Sequence, residues 1–489
     1  MAHLLIGGLL LALAGVIPGP RVPSDAAALS APPVLVPLSG GLEPGDDPAE
    51  ASTTPTQASG TSAGVQSPGS STSPKASDPG AGAPLDPRLV RKAVVPHLSG
   101  GSLGSGRTPA RVVDVATGDV LLATSDEPVA PASTMKLVTA VSVLDALGPD
   151  AVLSTRTVIL DPQADPPRVV LVGAGDPSLA SSGSRVGRAG TSLRPASVKR
   201  LAELTAKALD EQGVQGVTAG YDDSLFTGPA MHESWPASFP AAGVVAPVSA
   251  LQVDQGRVDP DRERRTTDPA QAAAELFVDE LESAGVKVRG QPKHLRARSG
   301  SVPLASVDSP TIGVLVERML GESDNDFAEA LGRLAAAAAG GAASFSGVGK
   351  RAQDFLGELG VSTEGDRFVD ASGLSRKNRV TPGTLVDLLR HTAGGGFGSM
   401  ASGLPVAGAT GSLRARFAAA DSAPGRGVVR AKTGTLTGVA SLAGYASRPD
   451  GRLLAFAFVD DSVPGGASGG RQALDSAAAA LVDCACARR

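Results

Sequence analysis

The sequence predicts an α+β fold: an antiparallel sheet flanked by helices, plus an all-helical subdomain, interrupted by an inserted mixed α/β domain. Three observations point there. Strand-like apolar runs stand at both ends of the region that can fold, Val112 to Val115 and Val120 to Ala123 near its start, then Val428 to Thr435, Val439 to Tyr445 and Leu453 to Val459 near its end. Short turns, Thr117-Gly118-Asp119 and Pro449-Asp450-Gly451, join neighbouring runs as hairpins do. Helix-spaced apolar stripes lie between the two ends, so one sheet is expected to be assembled from the chain's extremities.

The 489 residues set a prior of about three domains or segments. Leu4 to Ile17 is an apolar run of 14 residues, with only His3 before it in the way of a basic group. It is shorter than the roughly 20 residues that span a bilayer. Residues 1–20 are expected to be a signal peptide or membrane anchor, and Asp25-Ala26-Ala27-Ala28 could hold a cleavage site. Either form places the remainder in the extracytoplasmic cell envelope, in contact with membrane only through that segment. Residues 21–88 carry 12 prolines and no aromatic residue. They cannot bury enough apolar surface to offset the entropy of ordering, so a disordered spacer is expected. Gly60-Thr61-Ser62-Ala63-Gly64 matches the G-x-S-x-G hydrolase elbow by letter, but lacks the strand and helix that the elbow needs.

Order is expected to begin near Leu89, with residues 89–152 and 259–489 forming one discontinuous domain around an insertion at 153–258. A buried helix starts near Ser133, followed by a strand at Val169 to Val172 and helices at Val198 to Leu209 and Pro269 to Ala284. Ile312, Leu315, Val316, Met319 and Leu320 mark an amphipathic helix, and Phe327, Leu331 and Leu334 a second. An Ala-rich helix from Arg471 to Val482 closes the chain. With 42% hydrophobic but only 3% aromatic residues, the core must be packed from Ala, Val and Leu. A formal charge of −5 argues against a general nucleic-acid binder, which needs a dense cationic stripe. Cys484 and Cys486 lack the four-ligand pattern of structural zinc. They read as a tail feature, a local or intermolecular bridge in an oxidising compartment, with a metal or redox site as the alternative. No metal or cofactor is expected at the site described next.

Ser133 and Lys136 stand three residues apart, which on a helix puts them on one side and within reach. A serine hydroxyl is a poor nucleophile until a base takes its proton. A lysine serves only when neutral, which requires desolvation or nearby positive charge to lower a pKa of about 10.4. An S-x-x-K pair is commonly a helix cap beside a solvated lysine. Here its flanks are apolar, and it is the only S-x-x-K in the chain. Ser323-Asp324-Asn325 interrupts two apolar helices and could be a plain turn. As chemistry, Ser323 could relay a proton to a leaving amine while the Asn325 amide holds a lysine and a substrate carbonyl. Lys432-Thr433-Gly434-Thr435 reads either as an edge lysine guarding a sheet or as an edge that binds an extended peptide. In the second reading Lys432 supplies charge, Gly434 admits close approach, and the hydroxyls of Thr433 and Thr435 hold a terminal carboxylate. A backbone N–H near Thr435 would join that of Ser133 as an oxyanion hole, each donor worth roughly 10²–10³ in rate. The chain has ten lysines against 34 arginines, yet lysine stands at both motif positions. Arginine effectively never deprotonates and could not act as the base.

These motifs, with Pro131 to Leu137, Gly173-Ala174-Gly175-Asp176-Pro177, Pro247-Val248-Ser249-Ala250-Leu251, Asp370 to Arg376 and Leu404 to Gly408, resemble the penicillin-recognising serine acyltransferases. Order and spacing are similar to the class C low-molecular-mass penicillin-binding proteins, the D-alanyl-D-alanine carboxypeptidase/endopeptidase family, over about Leu89 to Leu481. The resemblance implies a β-lactamase/transpeptidase-like fold. It implies that Ser133 attacks the carbonyl between two terminal D-alanines of a peptidoglycan stem peptide, with Lys136 as base. Ser323 and Lys432 would take part in proton transfer and carboxylate binding, and β-lactam antibiotics would acylate Ser133 stably. It also implies a side-chain pocket for a diaminopimelate-like residue, built by Arg376, Leu436 and Trp235. From the residues alone, Arg376 is a surface charge and Trp235 a core ring. The 190 residues from Ser133 to Ser323 accommodate one inserted domain. A β-lactam-binding sensor or slow-turnover wall-binding protein is the alternative. A class A β-lactamase ranks below it, since no E-x-x-x-N stretch lies between the first two motifs.

Overall fold

The computed structural model describes residues 84–103, 108–182, 193–259, 262–464 and 467–488. The expected signal or anchor segment, and the spacer as far as residue 83, lie outside the described residues. Helix α1 (Pro87–Leu98) begins inside the stretch expected to be spacer. Pro87 occupies the first helical turn, where its missing N–H goes unused, and the Asp86 carboxylate accepts the Arg88 N–H at 2.8 Å. Val90, Val94 and Leu98 recur every four residues and are buried, a stripe too short to stand out beside so many prolines.

Strands β1 (Ala110–Asp114) and β2 (Val120–Ala123) form the expected hairpin. A 3₁₀ turn, Ala132–Thr134, runs into α2 (Met135–Leu147), buried on nearly every side. The chain then builds a second sheet from β3 (Ser154–Ile159), β4 (Arg168–Val172), α3 (Val198–Glu211), β5 (Gly216–Asp222), α4 (Pro269–Ser283), β6 (Lys287–Val288), β7 (Lys293–His294) and β8 (Val302–Asp308). Helices α5 (Ile312–Gly321), α6 (Asn325–Ala338), α7 (Phe345–Glu358), α8 (Pro382–Ala393) and α9 (Gly398–Gly403) follow. Strands β9 (Val429–Leu436), β10 (Val439–Ser447) and β11 (Leu453–Asp460) return to the first sheet, and α10 (Ala467–Asp483) packs behind it.

The first sheet has the order β2-β1-β11-β10-β9 with every neighbour antiparallel, so the chain's two ends do share one sheet. Alternate residues face opposite layers, as the pleat dictates. Val112, Leu442, Leu454, Phe456 and Phe458 join Val90 and Val94 of α1 and Leu474 of α10 in one core. Val113, Ala443, Tyr445, Ala455 and Val459 face the other way, into a core shared with α2, α5, α6, α7 and α8.

The second sheet has the order β6-β5-β4-β3-β8, with β7 also beside β5. The sheet continues past residue 258, where the insertion was expected to end. Strand β8 pairs with β3, Ser154 opposite Asp308, and Phe277 of α4 packs with Val169 and Leu201 instead of joining the helical subdomain. Between β5 and α4 the chain leaves this sheet, and Trp235, Val245 and Val248 cluster with Phe345 and Leu374. The two cysteines form a local bridge. The Cys486 carbonyl accepts the Asp86 N–H at 2.8 Å, which fastens the tail to the start of α1. Among the described residues no helix is long and apolar enough to cross a membrane.

Phe456 has no exposed surface. Phe456→Ala should remove about 3–5 kcal/mol of stability, read as a lower denaturant midpoint at unchanged slope; a loss under about 1 kcal/mol would contradict the sheet's role as the common core.

Candidate active site

Ser133 does not sit inside α2 but on the 3₁₀ turn that precedes it, half-buried, next to Ala132 at φ +48°. The turn is held by Thr134, whose hydroxyl donates to the Pro131 carbonyl at 2.7 Å, and by Ser441 of β10, whose hydroxyl donates to the same oxygen at 2.7 Å. Lys136, one turn on, has no exposed surface. Its Nζ lies 3.1 Å from Ser133 Oγ, 2.7 Å from Asn325 Oδ1 and 2.7 Å from the Ser372 carbonyl oxygen. The two carbonyl oxygens can only accept. A neutral amine has two N–H groups and one lone pair, so with both N–H groups engaged the lone pair is left to the third direction, toward Ser133. Burial pulls the Lys136 pKa down to about 8, against the opposing pull of Glu329, Asp370, Asp324 and Asp326, which favour the charged form.

Asn325 opens α6, and its neighbours hold the helix start from several sides. Asp324 caps it, accepting the Phe327 N–H at 3.3 Å, and its other oxygen takes Gln255 Nε2 at 2.6 Å. The Asp326 carboxylate accepts the Ala246 N–H at 2.8 Å and pairs with Arg265 at 3.1 Å, both residues being buried. Asn325 Nδ2 donates to the Val244 carbonyl at 2.9 Å, which fixes its oxygen on Lys136. Ser323 adopts φ +59°, a left-handed conformation that a serine holds only when its surroundings impose it.

Strand β9 supplies the third side. The first half of its outer edge is covered, since the Ala431 N–H donates to the Pro405 carbonyl at 3.0 Å and Val406 bridges Arg430. The second half borders the cleft. A Cβ on Gly434 would stand 2.1 Å from Ser441 Oγ and 3.0 Å from the Ser133 nitrogen, so no larger residue allows the strand this close to Ser133. Lys432 points inward with no exposed surface, donating to Ser323 Oγ at 2.8 Å and the Thr433 carbonyl at 2.8 Å. Burial, then the like charges of Lys136 and Arg416, push its pKa well below the ordinary value.

A pocket of about 370 Å³ opens over these groups, lined by Ser133, Ser323, Asn325, Thr433, Thr435, Leu436, Phe239, Val244 and Leu374. The three sequence motifs therefore share one cleft. Lys432 touches it only through Ser323 and Thr433, which differs from the direct charge expected for a carboxylate. Of the three residues expected to form a side-chain pocket, only Leu436 lines the cleft. Trp235 is a buried wall behind Leu374, its indole N–H donating to Asp370 at 2.9 Å. Arg376 lies exposed at the rim and donates to the Thr437 carbonyl. Phe239, Val244, the Ser372 carbonyl, Glu329 and Asp326 were not read from the sequence as site groups. Asp326 stands beside Asn325 and Ser372 lies within the Asp370 to Arg376 stretch, whereas Phe239, Val244 and Glu329 adjoin none of the motif residues.

A serine oxygen beside a buried amine, at the rim of an edge strand, suits acyl transfer from an extended peptide. Comparison with known proteins agrees. The sequence profile of the D-Ala-D-Ala carboxypeptidase 3 (S13) family matches residues 90–265 and 260–481, and the chain belongs to that family. It is 34% identical over 391 residues to a carboxypeptidase of Mycobacterium tuberculosis, covering 78% of this chain and 81% of the relative. It is 32% identical over 425 residues to the carboxypeptidase DacB of Mycolicibacterium smegmatis, covering 84% and 89%. The crystal structure of penicillin binding protein 4 (dacB) from Haemophilus influenzae superposes with a TM-score of 0.64 at 20% identity, covering 81% of this chain and 98% of that one, which shows a common fold.

Arg265→Ala would leave the Asp326 carboxylate buried without its cation. The expected loss is about 3 kcal/mol at pH 8. It should shrink toward pH 5, because burial already raises Asp326 to about 6 and the orphaned carboxyl can take a proton. An equal loss at both pH values in chemical denaturation would contradict the pairing.

Proposed function

We propose that the protein is a serine-type D-alanyl-D-alanine carboxypeptidase that trims peptidoglycan stem peptides in the extracytoplasmic envelope, with Ser133 as nucleophile. The observation that carries this is the environment of Lys136: an amine without exposed surface, held by two acceptors and 3.1 Å from a serine hydroxyl. The N-terminal apolar run is the segment that would export or anchor the chain.

In the proposed reaction the stem peptide lies along the Thr433–Leu436 rim as an added strand. Lys136 takes the Ser133 proton as the oxygen attacks the carbonyl between the terminal D-alanines. The backbone N–H groups of Ser133 and Thr435 receive the negative oxygen. As the C–N bond breaks, Ser323, held by Lys432, relays the proton from the Lys136 ammonium to the departing D-alanine nitrogen, its own hydroxyl restored, leaving an ester on Ser133 and Lys136 neutral again. Water then attacks the ester, giving a proton to neutral Lys136, and Lys136 returns that proton to the serine oxygen as its bond to the acyl carbon breaks. A β-lactam follows the same first half, but its leaving nitrogen stays tethered to the acyl group, so the ester persists. Thr433, whose hydroxyl is 2.8 Å from Ser412 Oγ, and Thr435 would hold the terminal carboxylate.

Intact-mass analysis after exposure to a penicillin should show one adduct, absent in Ser133→Ala and formed roughly 10²–10⁴ times more slowly in Lys136→Ala. An adduct that survives Ser133→Ala would refute the assignment. Release of D-alanine from a pentapeptide containing diaminopimelate should accompany it, whereas labelling without release would favour a sensor.

The pH dependence has a definite sign. Neutral Lys136 is the active form, so the acylation rate should rise as pH increases through about 8. A rate that falls over that interval would exclude an unprotonated lysine as base.

A further inference from the structure

Helix α6 presents Asn325, Glu329 and Arg333, four residues apart, to three different partners. Asn325 meets Lys136, and the Arg333 guanidinium donates to the carbonyls of Thr227 at 3.1 Å and Pro229 at 2.8 Å. Glu329 sits between them with no exposed surface. Its Oε1 accepts the N–H of Ser372 at 2.8 Å and of Ala371 at 3.2 Å. Its Oε2 is buried without a hydrogen-bond partner among the described residues. The proposed reaction has no use for this carboxyl.

Ser372 connects Glu329 to the chemistry. Its N–H is bound by Glu329, and its own carbonyl is one of the two acceptors on Lys136 Nζ. The same loop is fixed from α2, where the Thr139 hydroxyl donates to the Ala371 carbonyl at 2.7 Å. Gly373, at φ +82°, passes so near the nucleophile's turn that a Cβ would stand 1.9 Å from the Ala132 oxygen. We propose that Glu329 is a positioning residue for Lys136: it holds the Ser372 peptide whose carbonyl aims the lysine lone pair at Ser133, and its charge sets the pH at which that lone pair is free. The proposal rests on Lys136 being the base.

Among the charges around Lys136, Glu329 is the least compensated. Asp370, just before the 371–373 loop, accepts from Gly373 N, Ser375 N, Asn378 Nδ2 and Trp235 Nε1. Asp324 is held by Gln255 and Arg318, and Asp326 by Arg265. Lys432 of β9 lies on the other side, where burial and then the like charge of Lys136 push its own pKa well below the ordinary value. Arg333 faces Glu329 but directs its N–H groups to Thr227 and Pro229. With the Arg333 charge nearby but no hydrogen bond from it, the carboxylate acts on Lys136, where it heads the influences that favour the ammonium. Burial and then Asp370 push Glu329 itself up to about 7, so its charge is present in the range where the lysine titrates.

The test is the rate of penicillin acylation from about pH 5 to 10 for the full chain and two variants, with thermal unfolding as a check on folding. Glu329→Gln keeps an oxygen for the two N–H groups and removes the charge. Its acid limb should move to lower pH by about one unit, with a plateau near the parent's. Glu329→Asp keeps the charge on a shorter arm. Its acid limb should stay in place while the plateau falls about tenfold, because the peptide is released. A Glu329→Gln limb that coincides with the parent's would overturn the proposal. If that variant does not fold, Glu329→Asp decides: a shifted limb, or a plateau at the parental rate, would overturn it. Failure of the base assignment is separate, since the parent would then show no acid limb and Lys136→Ala would keep the parent's rate.

Discussion

One amine, removed from water and held by two carbonyl oxygens beside a serine hydroxyl, is the constraint around which this molecule is organised. In solvent Lys136 would carry a proton and could not take another. Burial disfavours the charge, and the surrounding carboxylates oppose burial, so the balance falls near neutrality. Neither influence alone would give a usable base. Without the acids the amine would be too weak, and without burial it would be permanently charged.

Holding that balance requires distant stretches to meet. The amine comes from α2, one acceptor from the start of α6, the other from the 371–373 loop, and one wall of the cleft from β9. Each contact joins groups far apart in sequence. Helix α6 does much of the joining, since Asn325 and Asp326 bind the backbone at Val244 and Ala246, Glu329 that at Ser372, and Arg333 that at Thr227. A helix is suited to this because its own backbone is internally satisfied and its side chains have fixed spacing. Two non-glycine residues with positive φ, Ala132 and Ser323, lie beside Ser133 and the α6 start. Such conformations persist only where packing imposes them, and here the imposed geometry aims the two serines at one cleft.

Much of the fold was legible in the sequence because the signals were local. The terminal strands showed as apolar runs with turn residues between them, and α5 showed as an unbroken stripe. Ser133, Lys136 and Asn325 stood out because lysine and asparagine are so rare in this chain. What stayed hidden depends on pairing across the chain. Glu329 looks like any helix glutamate until Ser372 is placed against it, 43 residues away. The pairing of β8 with β3 extends the second sheet past 258, yet its strand has mostly exposed or half-buried side chains and no strong alternation. Arg376 and Trp235 were read as pocket residues from resemblance, and the structure sets one at the rim and the other behind the wall. Helix α1 was masked by flanking composition, although Asp86-Pro87 is itself a helix-start signal.

The ionisation of Lys136 can be observed without substrate or inhibitor. The chain has ten lysines, and NMR of protein labelled with carbon-13 at the lysine ε position resolves their titrations; the Lys136 signal is the one missing from Lys136→Arg. The account predicts a midpoint near 8, with the amine largely neutral above it. A midpoint at the ordinary lysine value of 10.5 would mean that the buried group keeps its proton and cannot start the reaction.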